Sequence, residues 1–164
     1  IAFIQGLPGT YVNEGRLQGY KRALQDAQIP VDEKLIAGED FRNYNGYLET
    51  KLLLKLQTPP TAIFTAGDLI AMGALEALRE EQRRVPQDIS LVTFDDPSFA
   101  TYLSPALTAV AQPVDKMGEI AVKLLFRRMR TPEGEPKKIL LEPQLFVRDS
   151  VARVSHMALI RQAS

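Results

Sequence analysis

The 164-residue chain balances 20 basic against 20 acidic side chains and is 45% hydrophobic, the composition of a globular domain. Zero formal net charge argues against a chain that grips a nucleic-acid backbone by itself, and the lack of cysteine excludes disulfides and thiolate metal sites. No apolar run approaches the ~20 residues of a membrane span.

The chain opens on an apolar strand, Ile1 to Gln5, with no Met before it, which reads as a fragment of a longer product. Gly6 to Tyr11 is a Gly/Pro loop, and Asn13 suits the N-cap of a helix reaching about Gln28, with Glu14 in its first turn. Leu17, Tyr20, Leu24 and Ala27 give that helix one buried stripe before Pro30 closes it. Leu35 to Ala37 is a short strand leading into the polar loop Gly38 to Asn45. A second helix to about Gln57 places Leu48, Leu52 and Leu56 on one face, and Pro59-Pro60 ends it. Ala62 to Phe64 begins the next strand, and Asp68 can cap a helix ending near Gln82.

The first turns of that helix, Leu69 to Leu75, are apolar around nearly the whole circumference. A helix covering one sheet face needs only a stripe, so Ile70, Met72 and Ala74 predict a second apolar partner, and a two-fold copy of the chain fits. Ile89 to Phe94 suits a strand buried on both faces, ending on Asp95-Asp96. Leu107 to Val110 is a further strand, and Asp115 to Arg130 a helix whose stripe is Met117, Ile120, Ala121, Leu124 and Leu125. After the charged loop Thr131 to Lys138, Ile139 to Leu141 and Leu145 to Val147 read as short strands broken by Pro143. The alternation predicts an α/β fold: a doubly wound parallel sheet with helices on both faces.

In such a sheet the loops after each strand open on one edge. Thr10, Asn13 and Arg16 follow the first strand, Phe41 the second, Asp68 the third, and Asp95 and Asp96 the fourth. A guanidinium fork, a carboxylate and an aromatic ring facing one crevice suit a small polyhydroxylated or heterocyclic ligand. Asp68 also suits a helix cap, and Asp96 an Asx turn before Pro97. Other chemistry is poorly supported. Gly6 to Gly9 lacks the Gly-Lys-Ser/Thr of a phosphate-binding loop, and the single histidine, His156, lies in the tail, so no His-based triad or zinc site is expected. The basic cluster of Lys123, Arg127, Arg128 and Arg130 suits a solvated helix end.

Val85-Pro-x-Asp-Ile-Ser90, followed by an apolar pair and Phe94-Asp95-Asp96, resembles the signature of the lactose/galactose-repressor family of bacterial transcription regulators. Arg16-Leu-Gln-Gly19-Tyr20, the Pro59-Pro60-Thr61 strand, Gly67-Asp68 to Leu75, Ser104-Pro105 to Pro113 and Leu145 to Ser150 are similar to other blocks of that family, in the same order, to about Val151. The likeness implies one lobe of a two-lobed, periplasmic-binding-protein-like effector domain behind a helix-turn-helix headpiece, with three crossovers between Rossmann-like lobes. Residues 1–112 and 144–151 would form the C-terminal lobe, 113–143 would contribute a helix and strand to an N-terminal lobe, and 152–164 would be a tail too poor in apolar repeats for a coiled coil.

The resemblance further implies Arg16 and Asp95 as effector ligands, Gln112 near the crossover, and Phe41, Thr10 and Asn13 lining the pocket. It places Met72 and Tyr102 in a subunit contact and implies no cofactor, no metal and no catalysis. The implied setting is a cytoplasmic homodimer that reaches DNA only through the headpiece, and no membrane. Thr93 departs from the usual Gly of the motif, and Gly67 from the Asn of many sugar-responsive members, so a sugar and a nucleobase-like effector both stay open. The alternative is a periplasmic-type solute-binding protein of a sugar transporter, which shares the two-lobed fold.

Overall fold

The computed structural model describes residues 1–133 and 135–153. The tail beyond 153, with His156 and the coiled-coil expectation, lies outside the described residues. The elements run β1 (Ala2–Ile4), α1 (Tyr11–Asp26), β2 (Ile36–Ala37), α2 (Asn43–Leu54), β3 (Ala62–Thr65) and α3 (Asp68–Glu80). They continue as β4 (Ser90–Phe94), β5 (Thr108–Ala111), α4 (Val114–Arg130) and β6 (Gln144–Phe146). Among the described residues the strands make one sheet in the order β2-β1-β3-β4-β5-β6, parallel except for β6, which runs antiparallel to β5.

The order reverses between β1 and β3, which are hydrogen-bonded neighbours. Right-handed crossovers then place α1 on one sheet face and α2 with α3 on the other, as a doubly wound sheet requires. The core follows the apolar runs: Phe3, Ile4, Ile63, Leu91 and Leu107 are fully buried on the strands or just before them. The Phe3 ring stacks on Tyr20 of α1 at 5.2 Å between centroids, and the Tyr20 hydroxyl donates to the Ile1 carbonyl at 2.8 Å.

The pairing of α2 and α3 corrects the reading of both helices. A Cβ on Gly46 would stand 2.0 Å from the Ile70 carbonyl oxygen, and one on Gly73 would stand 1.8 Å from that of Asn43. The two backbones therefore meet where neither helix has a side chain. That approach buries Ile70 and Ala74 completely within one chain. These two residues are thus withdrawn from any subunit interface: the second apolar partner of α3 is α2. The buried residues of α2 are correspondingly Asn45, Gly46, Thr50 and Leu53, with Gly46 at the point of close approach, and Leu48 and Leu52 face outward. Met72 at 43% and Tyr102 at 86% exposure remain on the surface.

The far end of the chain behaves differently. Helix α4 is strongly amphipathic yet carries no buried residue. The strand expected at Ile139 to Leu141 does not form, because no neighbouring strand offers those backbone groups a ladder. Beyond β6 the chain returns to the core, where the Ser150 hydroxyl donates to the Leu91 carbonyl at 2.6 Å and accepts from the Thr108 N–H at 2.8 Å.

Candidate effector site

Four strand-end loops converge where the strand order reverses. Thr10, not Asn13, caps α1: its hydroxyl donates to the Leu7 carbonyl at 2.7 Å and accepts from the Asn13 N–H at 3.4 Å. One turn on, Arg16 crosses the crevice edge. Its guanidinium lies 3.9 Å from the centroid of Phe94 and 5.9 Å from that of Phe41, within cation–π range of both rings. Nη1 donates to the carbonyl of Ala66 in the β3–α3 loop, and Nη2 stands 3.5 Å from Asp95 Oδ2. With its side chain only 11% exposed, Arg16 has its pKa lowered by burial, opposed by the charges of Asp95 and Asp68.

Asp95 leaves β4 in the left-handed region, at φ +69°. Its amide donates to the Val110 carbonyl at 2.9 Å, and its Oδ1 accepts from Gln112 Nε2 at 2.6 Å. The carboxylate is 35% exposed, so it faces the crevice while anchored on two sides. Arg16, Asp95 and Gln112 thus form one hydrogen-bonded and ionic chain.

Phe41 completes the wall. A Cβ on Gly6 would meet its Cζ at 2.1 Å, so the ring rests at the end of β1 because that position lacks a side chain, and it lies in ordinary contact range of Gly67, where a Cβ would stand 3.4 Å from Cδ1. Its loop is held by amides that the sequence reading did not single out. Asn45 Nδ2 donates to the Gln5 carbonyl at 3.1 Å, Asn45 Oδ1 accepts from the Glu39 N–H at 3.2 Å, and Gln5 Nε2 donates to the Gly38 carbonyl at 3.0 Å.

Three expectations are corrected here. Asn13 is fully buried, with Oδ1 accepting from the Gly6 N–H at 2.8 Å and Nδ2 donating to Gln5 Oε1 at 3.2 Å, so it shapes the loop and presents nothing to a ligand. Asp96 does not cap the following turn, whose N-cap is Pro97. Both its oxygens accept from Arg148, at 2.7 Å each. This fork holds the Arg148 pKa above its ordinary value. Asp68, beyond the Gly67 N-cap of α3, accepts from the Leu69 N–H at 2.8 Å rather than capping the helix.

The periplasmic binding protein-like domain family matches residues 1–151. The HTH-type transcriptional repressor PurR of Escherichia coli O1:K1 is 43% identical over 138 residues, 84% of this chain and 40% of that protein. The ribose operon repressor of Haemophilus influenzae is 37% identical over 151 residues, 92% of this chain and 46% of that one. A solved LacI-family regulator from Enterococcus faecium with bound ribose has a TM-score of 0.84 and 30% identity, covering 94% of this chain and 57% of that one. The chain spans less than half the length of these two curated relatives, and both are named as repressors, not as transport components. The chain belongs to the periplasmic binding protein-like domain family, in its lactose/galactose-repressor branch.

Proposed function

We infer that the chain is the effector-binding and dimerisation part of a transcription regulator, and that it binds a sugar or other small polar metabolite without transforming it. The observation that carries this reading is the Arg16–Asp95 pair, its guanidinium within reach of the Phe94 and Phe41 rings, at the point where the strand order reverses. A fixed fork of donors, an anchored acceptor and an aromatic wall recognise a small ring that carries hydroxyls or ring nitrogens. Thr10 keeps only an acceptor lone pair for such a ligand, because its proton is held by Leu7.

In this reading residues 113–143 belong with a second lobe that closes over the ligand, which accounts for an amphipathic α4 with no buried residue. Ligand binding shifts the lobe arrangement only by its differential affinity for the open and closed forms. The subunit contact uses the outward side of α3 at Met72 together with Tyr102, and DNA is reached through a headpiece outside the 164 residues. The protein works in the cytoplasm. Among the described residues no helix is long and apolar enough to cross a membrane.

Calorimetric titration of the longer protein with a panel of pentoses, disaccharides and free nucleobases tests the reading. Binding of one class, abolished by Asp95→Ala, is the expected result. Binding that ignores Asp95, or none across the panel, removes it.

A further inference from the structure

Asp95 and Asp96 are adjacent, yet their carboxylates hold two different passages of the chain. The left-handed backbone of Asp95 at φ +69° separates the directions of the two side chains. Asp95 Oδ1 accepts from Gln112, where the chain leaves β5 for α4. Asp96 grips Arg148, where the chain comes back from β6. Arg148 is fixed further, its Nη1 donating to the Leu107 carbonyl at 2.6 Å and its backbone N–H to Thr108 Oγ1 at 2.9 Å. The helix between these two passages carries no fully buried residue.

The grips differ in strength. The Asp96–Arg148 fork is bidentate and charged at both ends, with side chains 16% and 15% exposed. The Asp95–Gln112 bond is a single contact from a neutral amide to a carboxylate already shared with Arg16. A ligand hydroxyl or ring N–H that donates to Asp95 Oδ1 along the lone pair taken by Gln112 displaces that single contact.

We propose that the adjacent aspartates form a two-armed tether, in which Gln112 is the arm released when Asp95 is engaged and Arg148 is the fixed pivot. The ligand in this inference rests on the effector reading above, whereas the tether belongs to the chain alone. Linkage makes the device reciprocal: a ligand that displaces Gln112 loosens the outgoing passage, and a loosened passage binds that ligand more tightly.

Amide hydrogen exchange on the 164-residue chain, without ligand, tests the arms by comparing wild type with Gln112→Leu, Asp95→Ala and Asp96→Asn. Loss of one hydrogen bond corresponds to roughly five- to tenfold faster local opening. Gln112→Leu and Asp95→Ala should each speed exchange in the first turns of α4 by that factor and leave residues 144–150 at the wild-type rate. Asp96→Asn should do the reverse. Uniform acceleration in all three, or unchanged α4 exchange in Gln112→Leu, overturns the tether. Where Asp95→Ala fails to fold, Gln112→Leu decides. A thermal-shift screen of the longer protein against pentoses and free nucleobases separates the two readings. Selective exchange with no metabolite bound supports the tether and removes the effector reading, and a bound metabolite with unselective exchange does the opposite.

Discussion

The guanidinium of Arg16 lies over the ring of Phe94 at 3.9 Å while its Nη2 faces Asp95 Oδ2 at 3.5 Å, so consecutive residues of β4 and its exit loop supply both the stacking face and the counter-charge. The same side chain ties the β3–α3 loop through the Ala66 carbonyl. Lysine cannot reproduce this, because a point charge lacks the planar fork. Arg16→Lys and Arg16→Ala should both weaken effector binding, the alanine variant by about 2–3 kcal/mol, since ligand acceptors and Asp95 lose a charged donor. Equal affinities by calorimetry would show that Arg16 only covers the crevice.

Gly6 decides where the Phe41 ring rests. Its replacement by alanine would put a methyl 2.1 Å from Phe41 Cζ, so the ring must leave the end of β1. Gly6→Ala should therefore cost roughly tenfold in effector affinity, about 1.4 kcal/mol, with the helical circular dichroism preserved. An unchanged dissociation constant would remove Phe41 from the binding wall.

The α2–α3 contact makes two opposite predictions. Gly73→Ala forces a methyl against the Asn43 carbonyl and should cost about 1–3 kcal/mol in urea unfolding. Thr50, on the inward face of α2, has a buried hydroxyl without a hydrogen-bond partner among the described residues. Thr50→Val removes that hydroxyl at nearly constant shape and should leave stability unchanged or raise it by about 1 kcal/mol. A loss on Thr50→Val would show that the hydroxyl is satisfied.

Met72 tests the subunit contact. Carrying glutamate there on both copies would bring two carboxylates into an interface that repeats across a two-fold axis, so Met72→Glu should weaken self-association at least roughly tenfold. Sedimentation equilibrium of wild type and variant checks this, and a wild-type monomer or an unaffected variant would remove α3 from the contact.

Acid stability should depend on Asp88. Its Oδ2 accepts from the Arg84 N–H and Nε, and its Oδ1 from Nη2, each at 2.8 Å. These bonds hold the carboxyl well below the usual carboxylate range. A depressed folded value stabilises the fold above about pH 4, where the unfolded carboxyl is ionised, and that contribution fades as pH falls through the folded value. The wild-type urea midpoint should fall more steeply below about pH 4 than that of Asp88→Asn. Parallel curves would assign the acid limb to other groups.

Sequence by itself determined the elements, apart from the strand expected at Ile139 to Leu141, and the edge on which the site stands. Apolar runs of strand length alternating with helical stripes specify parallel strands and crossovers, and a parallel sheet brings every strand-end loop to one side. Arg16, Phe41 and Asp95 were legible because position along the chain is enough to place a residue at that edge. Tertiary structure decided what each side chain touches. Thr10 took the cap expected of Asn13, and Asn13 was buried under the loop, since whichever hydroxyl or amide reaches the free N–H groups becomes the cap, and that depends on the path of the loop. Ile70 and Ala74 turned inward because Gly46 and Gly73 let two backbones approach, a coincidence of glycines on separate helices that periodicity within either helix does not reveal. Asp96 found Arg148 across 52 residues of chain, and a pairing at that separation is set by the sheet order, not by any local pattern.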